Sequence, residues 1–348
     1  MDLRQHLKEG HVIPAQPLAL DAQRKFSERH QRAITRYYLA AGVGGLAVGV
    51  HSTQFEIREP QHGLFKPVLE LAAQTIDEEL SVARRPFIKI AGLCGRTEQA
   101  LAEAEIALGY GYQAGLLSLG AYKNDTEEEM LVHCTRVAAV IPVIGFYLQP
   151  AAGGRLLGYS FWRKFAEIPN VIAIKMAPFN RYQTIDVVRA VTESGRDDLI
   201  LYTGNDDSIV VDLFTPFTFD VQGKLVTRRI EGGLLGHWGV WTHAAVKLLN
   251  EIKTARKSGS LDVAWLDKAI AVTDMNAALF DSANKFAGCI PGILEVLRRQ
   301  GLVPTINCLN PHEALSPGQA EELDRVCRAY PNLIDDEYVA ANRDKWLA

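Results

Sequence analysis

Apolar positions along the chain follow two alternating rhythms. Short runs at 45–50, 87–92, 114–119, 142–148, 171–176 and 199–204, several rich in β-branched residues, are bounded by glycine, proline or polar residues, as buried parallel strands are. Between them apolar residues return at three- and four-residue spacing over 97–108, 126–140, 158–167 and 183–194, which predicts helices with one buried face. A first strand is expected at 11–15, interrupted by Pro14 and Pro17. A helix over 24–42 follows, closed by Gly42, Gly44 and Gly45. An eighth strand is expected at 234–240 and a helix at 243–256. Eight strand-then-helix units predict an α/β fold, most economically a closed (β/α)8 TIM barrel, with an open doubly wound sheet as the rival.

Two segments depart from the rhythm. Residues 213–231 read as a β-ribbon inserted before strand eight, either a lid at the catalytic face or a surface decoration. From 261 onward the periodicity is purely helical, over 262–280, 283–300 and 317–329, which predicts a C-terminal helical appendage packed on the barrel. The expected organisation is therefore a barrel over 11–258 with an insertion near 213–231, and an extension over 259–348. A length of 348 residues suits a barrel of ~250 residues plus such an appendage.

Composition removes several classes of function. A net charge of −4 with mixed signs throughout leaves no basic stripe for nucleic acid, so a small-molecule substrate is expected. No apolar run approaches the ~20 residues of a membrane span, and residues 1–10 read as a polar lead-in rather than a signal peptide. A soluble, cytoplasmic protein with no membrane partner is the expectation. The five cysteines are scattered without a CxxC pair, and the nine histidines include no HExxH; His237 and His243 lack metal-motif spacing. No metal and no external cofactor are expected.

Candidate chemistry lies where strands end, because the active site of such a barrel is built from the loops there. Lys175 stands near the end of the apolar run 171–176, sharing a face with Val171 and Ala173 by strand alternation. An amine held in a desolvated barrel mouth loses charge readily and becomes a nucleophile toward carbonyl carbon. The bland alternative is a snorkelling or ion-paired lysine. Tyr147 shows the same parity within its own strand, with Val143 and Gly145, and is expected to aim its phenol into the same cavity; a packed aromatic with a bonded hydroxyl is the other reading. His51, Ser52 and Thr53 come directly off the second strand, and Gly204 and Asn205 off the seventh. Asp206 and Asp207 read as a cap for the next helix, since neighbours on a turn diverge. His51 has inward parity and is open to substrate contact or to a structural hydrogen bond.

With these residues in place, the chain resembles the dihydrodipicolinate synthase / N-acetylneuraminate lyase superfamily over about 13–332. Its most specific parts are Tyr147-Leu148-Gln149-Pro150 and, 28 residues after the tyrosine (175 − 147), the lysine of Ile172-Ala173-Ile174-Lys175. Weaker support comes from 41–46, from Gly92 with Thr97-Glu98, and from the Gly204-Asn205-Asp206-Asp207 turn. The resemblance implies a lyase, a class I aldolase or hydro-lyase, whose Lys175 forms a Schiff base with pyruvate or a longer 2-keto acid and carries out aldol cleavage or condensation. Dehydration of a 2-keto sugar acid through the same imine, and a non-catalytic 2-keto acid-binding relative, are the alternatives. It also implies that Tyr147 relays protons, and that Tyr122 reaches a neighbouring subunit of a dimer or homotetramer, completing a relay with Ser52; a solvent-facing loop aromatic is the other reading of Tyr122. The chain departs from the family at Val50-His51-Ser52-Thr53-Gln54, where glycine-x-x-glycine-glutamate is usual, and at Ala151-Ala152-Gly153-Gly154, where Arg155 is out of register with the synthase's arginine. Those departures argue against the synthase itself.

Overall fold

The computed structural model describes residues 1–259 and 261–348. Residue 260, in the expected C-terminal extension, and the side chain of Ala151, in the departure after Pro150, lie outside the described residues. Among the described residues there are ten strands: β1 (Val12–Pro14), β2 (Gly45–Val48), β3 (Ile88–Leu93), β4 (Ala114–Leu117), β5 (Val143–Leu148), β6 (Val171–Ala177), β7 (Ile200–Thr203), β8 (Phe217–Val221), β9 (Lys224–Arg228) and β10 (Ile230–Leu235). The helices are α1 (Leu3–Lys8), α2 (Glu28–Ala41), α3 (Phe65–Val82), α4 (Thr97–Gly109), α5 (Glu127–Ala138), α6 (Tyr159–Phe165), α7 (Arg181–Glu193), α8 (Ile209–Phe214), α9 (Thr242–Ser258), α10 (Ala264–Leu279), α11 (Cys289–Arg299), α12 (Gln319–Ala329) and α13 (Asp336–Leu347). Eight parallel strands alternating with helices make the (β/α)8 barrel of an α/β fold, with further helices after it. The residues fall into two compact units, 1–11 with 88–234 and 12–87 with 235–348.

The first unit holds six parallel strands in the order β10-β7-β6-β5-β4-β3. Local sequence fixes its helix ends. Thr126 and Glu129 form a reciprocal capping box at α5, and the Asn180 side chain accepts the Gln183 N–H at the start of α7. β6 is buried at all seven positions, as expected for a strand covered on both faces.

Two expectations are corrected here. The eighth barrel strand is Ile230–Leu235, and residues 237–239 form a tight 3-10 turn beyond it, so the strand starts earlier than 234. The ribbon β8–β9 leaves the end of α8 and returns to the start of β10, packing on α7. It therefore belongs to the end of the barrel where strands begin, and a lid over the strand ends is excluded by connectivity.

In the second unit β1 and β2 are bridged in parallel at Ala15 and Ala47, and α2 packs against α3, α9 and α13. The long helix α3 and the C-terminal α13 were not anticipated from the sequence pattern, and the lead-in 1–10 contains α1. The C-terminal helices are tied in by a buried polar knot. Asp335 accepts hydrogen bonds from the Tyr37 hydroxyl at 2.6 Å, from the His243 N–H at 2.9 Å and from the Gln300 amide at 3.0 Å. The Tyr37 oxygen in turn accepts the Thr242 N–H.

Candidate functional site

Lys175 lies at the C-terminal end of β6, only 7% exposed, with Nζ 4.4 Å from the centroid of the Phe146 ring. It stands in register with Phe146 of β5 and Tyr202 of β7, so these three side chains share a face. Gly204 makes the space: a Cβ there would fall 2.6 Å from Lys175 Cε and 2.9 Å from Ala177 Cβ. Burial pulls the lysine's pKa down to about 8, opposed by the negative charge of buried Asp206. The Phe146 face attracts the ammonium but does not replace its lost hydration, and burial remains the larger effect.

Tyr147 takes the other face of β5, which corrects the parity expectation. Its ring packs on Trp162 of α6 at 5.3 Å, and its oxygen accepts the Leu157 N–H at 3.2 Å. Burial raises its pKa. The physical reason is visible at Gly145, two residues earlier on the same face, where a Cβ would meet Phe165 at 2.6 Å and Trp162 at 3.3 Å. The small face of β5 is small because α6 fills it, and the bulky Phe146 turns inward to the lysine. A register shift between Val143 and Ile144 sets Phe146, not Tyr147, beside Lys175.

The Gly204–Asp206 turn is braced from beneath. The Asn205 side chain accepts the Phe179 N–H at 3.1 Å and donates to Thr184 at 3.1 Å and Asp212 at 2.9 Å. Asp212, fully buried, also accepts from Arg181 and the Thr203 hydroxyl, both at 2.6 Å. Asn205 is thus a strut between loops, its amide spent on the framework rather than offered to a substrate. Asp206, expected only as a cap, is instead the charge that acts on the lysine.

Tyr122 is 4% exposed, which removes the solvent-facing reading. Its hydroxyl is 2.9 Å from that of Thr97, which is 3.0 Å from Nδ1 of His133, and the Arg96 guanidinium covers its ring at 4.6 Å. Burial, with Arg136 and Arg96 nearby, pulls the His133 pKa down to about 4, so the chain of hydrogen bonds ends on a neutral imidazole. Sequence reasoning passed over His133, which is identifiable only once Tyr122 and Thr97 are placed.

In the second unit the turn His51–Thr53 is held by its own hydroxyls. Ser52 donates to the Ala15 carbonyl at 2.9 Å and Thr53 to that of Gln16 at 2.6 Å, while Thr53 Oγ1 accepts the Gly49 and Val50 N–H groups. Both donor protons expected for substrate are spent on backbone. His51 is partly exposed, its ring centroid 5.8 Å from that of Phe55 in an edge-on arrangement.

A barrel with a buried lysine at a strand end, its pKa lowered by burial, defines the class: an α/β barrel whose candidate site lies where strands end. The sequence matches the model of the dihydrodipicolinate synthetase family over residues 8–329, and the chain belongs to that family. It is similar to 4-hydroxy-tetrahydrodipicolinate synthase of Thiobacillus denitrificans, 28% identical over 74% of this chain and 77% of that one. It is also similar to N-acetylneuraminate lyase of Citrobacter koseri, 27% identical over 56% of this chain and 62% of that one. The crystal structure of dihydrodipicolinate synthase from Agrobacterium tumefaciens shares the fold at a TM-score of 0.72 and 17% identity, covering 93% of this chain and 99% of that chain. Family and relatives support an aldolase-type lyase. Among the described residues no helix is long and apolar enough to cross a membrane.

Proposed function

We propose that the chain is a class I lyase in which Lys175 Nζ forms a Schiff base with the C2 carbonyl of pyruvate or a longer 2-keto acid. The observation that carries this reading is the lysine's setting: buried on β6 beside Phe146, in space left by Gly204, with its pKa pulled to about 8. At pH 7 an amine with that pKa is neutral in roughly one molecule in ten, against roughly one in three thousand at the ordinary value. The synthase and lyase names of the relatives support the same reading.

The chemistry follows from the amine. Its lone pair adds to C2, and loss of water from the carbinolamine leaves a protonated imine. In a 4-hydroxy-2-keto acid that iminium accepts the electron pair of the C3–C4 bond as the C4 hydroxyl loses its proton and C4 leaves as an aldehyde, giving an enamine that takes up a proton at C3; water then restores the amine and frees the shortened keto acid. Condensation runs the same steps backward. Loss of a C3 proton followed by departure of a β-hydroxyl as water would make the chain a dehydratase. We assign Asp206 to balance the iminium charge. Tyr147, on the other face of β5 with its ring on Trp162, serves as a relay on this reading only after its side chain moves to the lysine's face. Assembly of two or four copies in the cytoplasm belongs to the same proposal.

Incubation with pyruvate and a panel of longer 2-keto acids, reduction with borohydride and mass mapping test it. An adduct on Lys175 is expected. Its absence across the panel refutes the imine, and an adduct on Lys89 of β3 refutes the site. Labelling without turnover would identify a binding protein rather than a lyase.

A further inference from the structure

The first eleven residues carry a second constellation. His6 lies in the last turn of α1 and Glu9 caps that helix; Gly10, at φ 73°, reverses the chain so that His11 returns over His6. The two imidazoles stack with centroids 4.1 Å apart and planes 23° from parallel, and His11 Nε2 lies 3.7 Å from Glu9 Oε2. One ligand atom from each of the three residues lies within 4.8 Å of the others.

The reversal is anchored rather than loose. Tyr202 of β7 donates its hydroxyl proton to the Leu7 carbonyl at 2.9 Å and accepts the His11 N–H at 3.1 Å. The His11 carbonyl accepts the Gly233 N–H, and Gly232 of β10 has no side chain where a Cβ would fall 2.6 Å from the His11 backbone. Backbone on both sides of Glu9 is therefore fixed before any ion arrives, which lowers the ordering cost of binding.

We propose that His6, Glu9 and His11 bind a divalent first-row transition ion, with Zn2+ the expected one. Two imidazole nitrogens and one carboxylate oxygen form a donor set for zinc, with a water in the fourth position; hard-oxygen ions such as Ca2+ and Mg2+ are disfavoured. Zinc at about 2.0–2.1 Å from each donor requires atoms up to 4.8 Å apart to close by up to roughly 1.5 Å. A small splay of the stacked rings and a rotation of Glu9, which is exposed, supply that movement. His11 is partly exposed and Glu9 open to solvent, so an ion has an entry path, while buried His6 fixes the inner ligand. The site would clasp closed a turn that hydrogen bonds already anchor to β7 and β10, independently of the imine chemistry.

The test uses the 348-residue chain without a tag. Titration with Zn2+ against a chromophoric chelator should give one tight site per chain, and Co2+ should give the visible bands of a tetrahedral nitrogen-and-oxygen site without a thiolate charge-transfer band. Zn2+ should raise the melting temperature of the wild type. Glu9→Gln and His11→Gln, at positions that do not form the core, should each weaken Zn2+ by at least about tenfold while melting like the wild type without metal. A wild type that binds no zinc, a cobalt spectrum with thiolate bands, or unchanged zinc affinity in the double variant Glu9→Gln, His11→Gln would overturn the assignment.

Discussion

The space at Gly204 can be tested directly. In Gly204→Ala the new methyl would sit 2.6 Å from Lys175 Cε, 2.9 Å from Ala177 Cβ and 3.1 Å from Lys175 Cγ, against an ordinary carbon–carbon contact of roughly 3.5–4.0 Å. About 1 Å must be found. The Gly204 N–H is bonded to the Met176 carbonyl at 2.6 Å, so backbone movement would break a strand-end hydrogen bond, and Ala177 is fixed in β6. The lysine is the part that can give, and it gives by changing rotamer against Phe146. Overpacking of this kind costs about 1–3 kcal/mol, and a reacting atom displaced by about 1 Å loses on the order of a hundredfold in rate. We therefore expect destabilisation in that range by urea denaturation, and borohydride trapping by pyruvate about a hundredfold slower. Gly109→Ala is the control, because nothing lies within 4 Å of its Cβ position. Trapping and stability both at the wild-type level in Gly204→Ala would show that Lys175 does not occupy the space assigned to it.

Lys175 titrates near 8 in the fold and near 10.5 when unfolded, so the unfolded chain holds the extra proton between those values and stability rises with pH across that window. Lys175→Met removes the burial penalty: it is expected to be more stable than the wild type at pH 7, by about 3 kcal/mol at most, and to lose the rise above pH 8 in denaturation profiles. His133, held near 4, takes up its proton less readily in the fold than in the unfolded chain, so stability falls as pH drops below about 6.5 toward 4; His133→Gln should flatten that limb of the melting profile. Arg181→Met leaves the carboxylate of Asp212 buried with two of its three partners and should cost about 1–3 kcal/mol in chemical denaturation. Tyr147→Phe leaves the Leu157 N–H without its acceptor; unchanged trapping kinetics in that variant would remove the tyrosine from the proton relay.

The barrel itself was legible because its strands are short β-branched runs separated by helical periodicity, and β6 with Lys175 was the clearest of them. The eighth strand was misplaced because Gly232 and Gly233 suppress a strand signal. The bareness of Gly232 serves the His11 segment, which packs where its side chain would be, and that is a tertiary demand invisible in a local window. The three-residue cluster at the N-terminus is likewise closed by one left-handed glycine, Gly10, and His-x-x-Glu-x-His has no meaning until that turn is known.

Face assignment was the deeper difficulty. Alternation states which residues share a side of a strand, but not which side meets the barrel interior. Small residues on a face suggest room for chemistry beside them. That inference holds at Gly204, whose missing side chain admits the lysine, and fails at Gly145, whose missing side chain admits Phe165 and Trp162 of α6. The two glycines carry the same sequence signal and serve opposite sides of the sheet. What separates them is the neighbour: β5 slips register against β6 between Val143 and Ile144, and this local irregularity pairs Phe146 with Lys175 and turns Tyr147 toward the helix. The placement of Lys175 therefore follows from its own strand, whereas the placement of its neighbours depends on a pairing between strands.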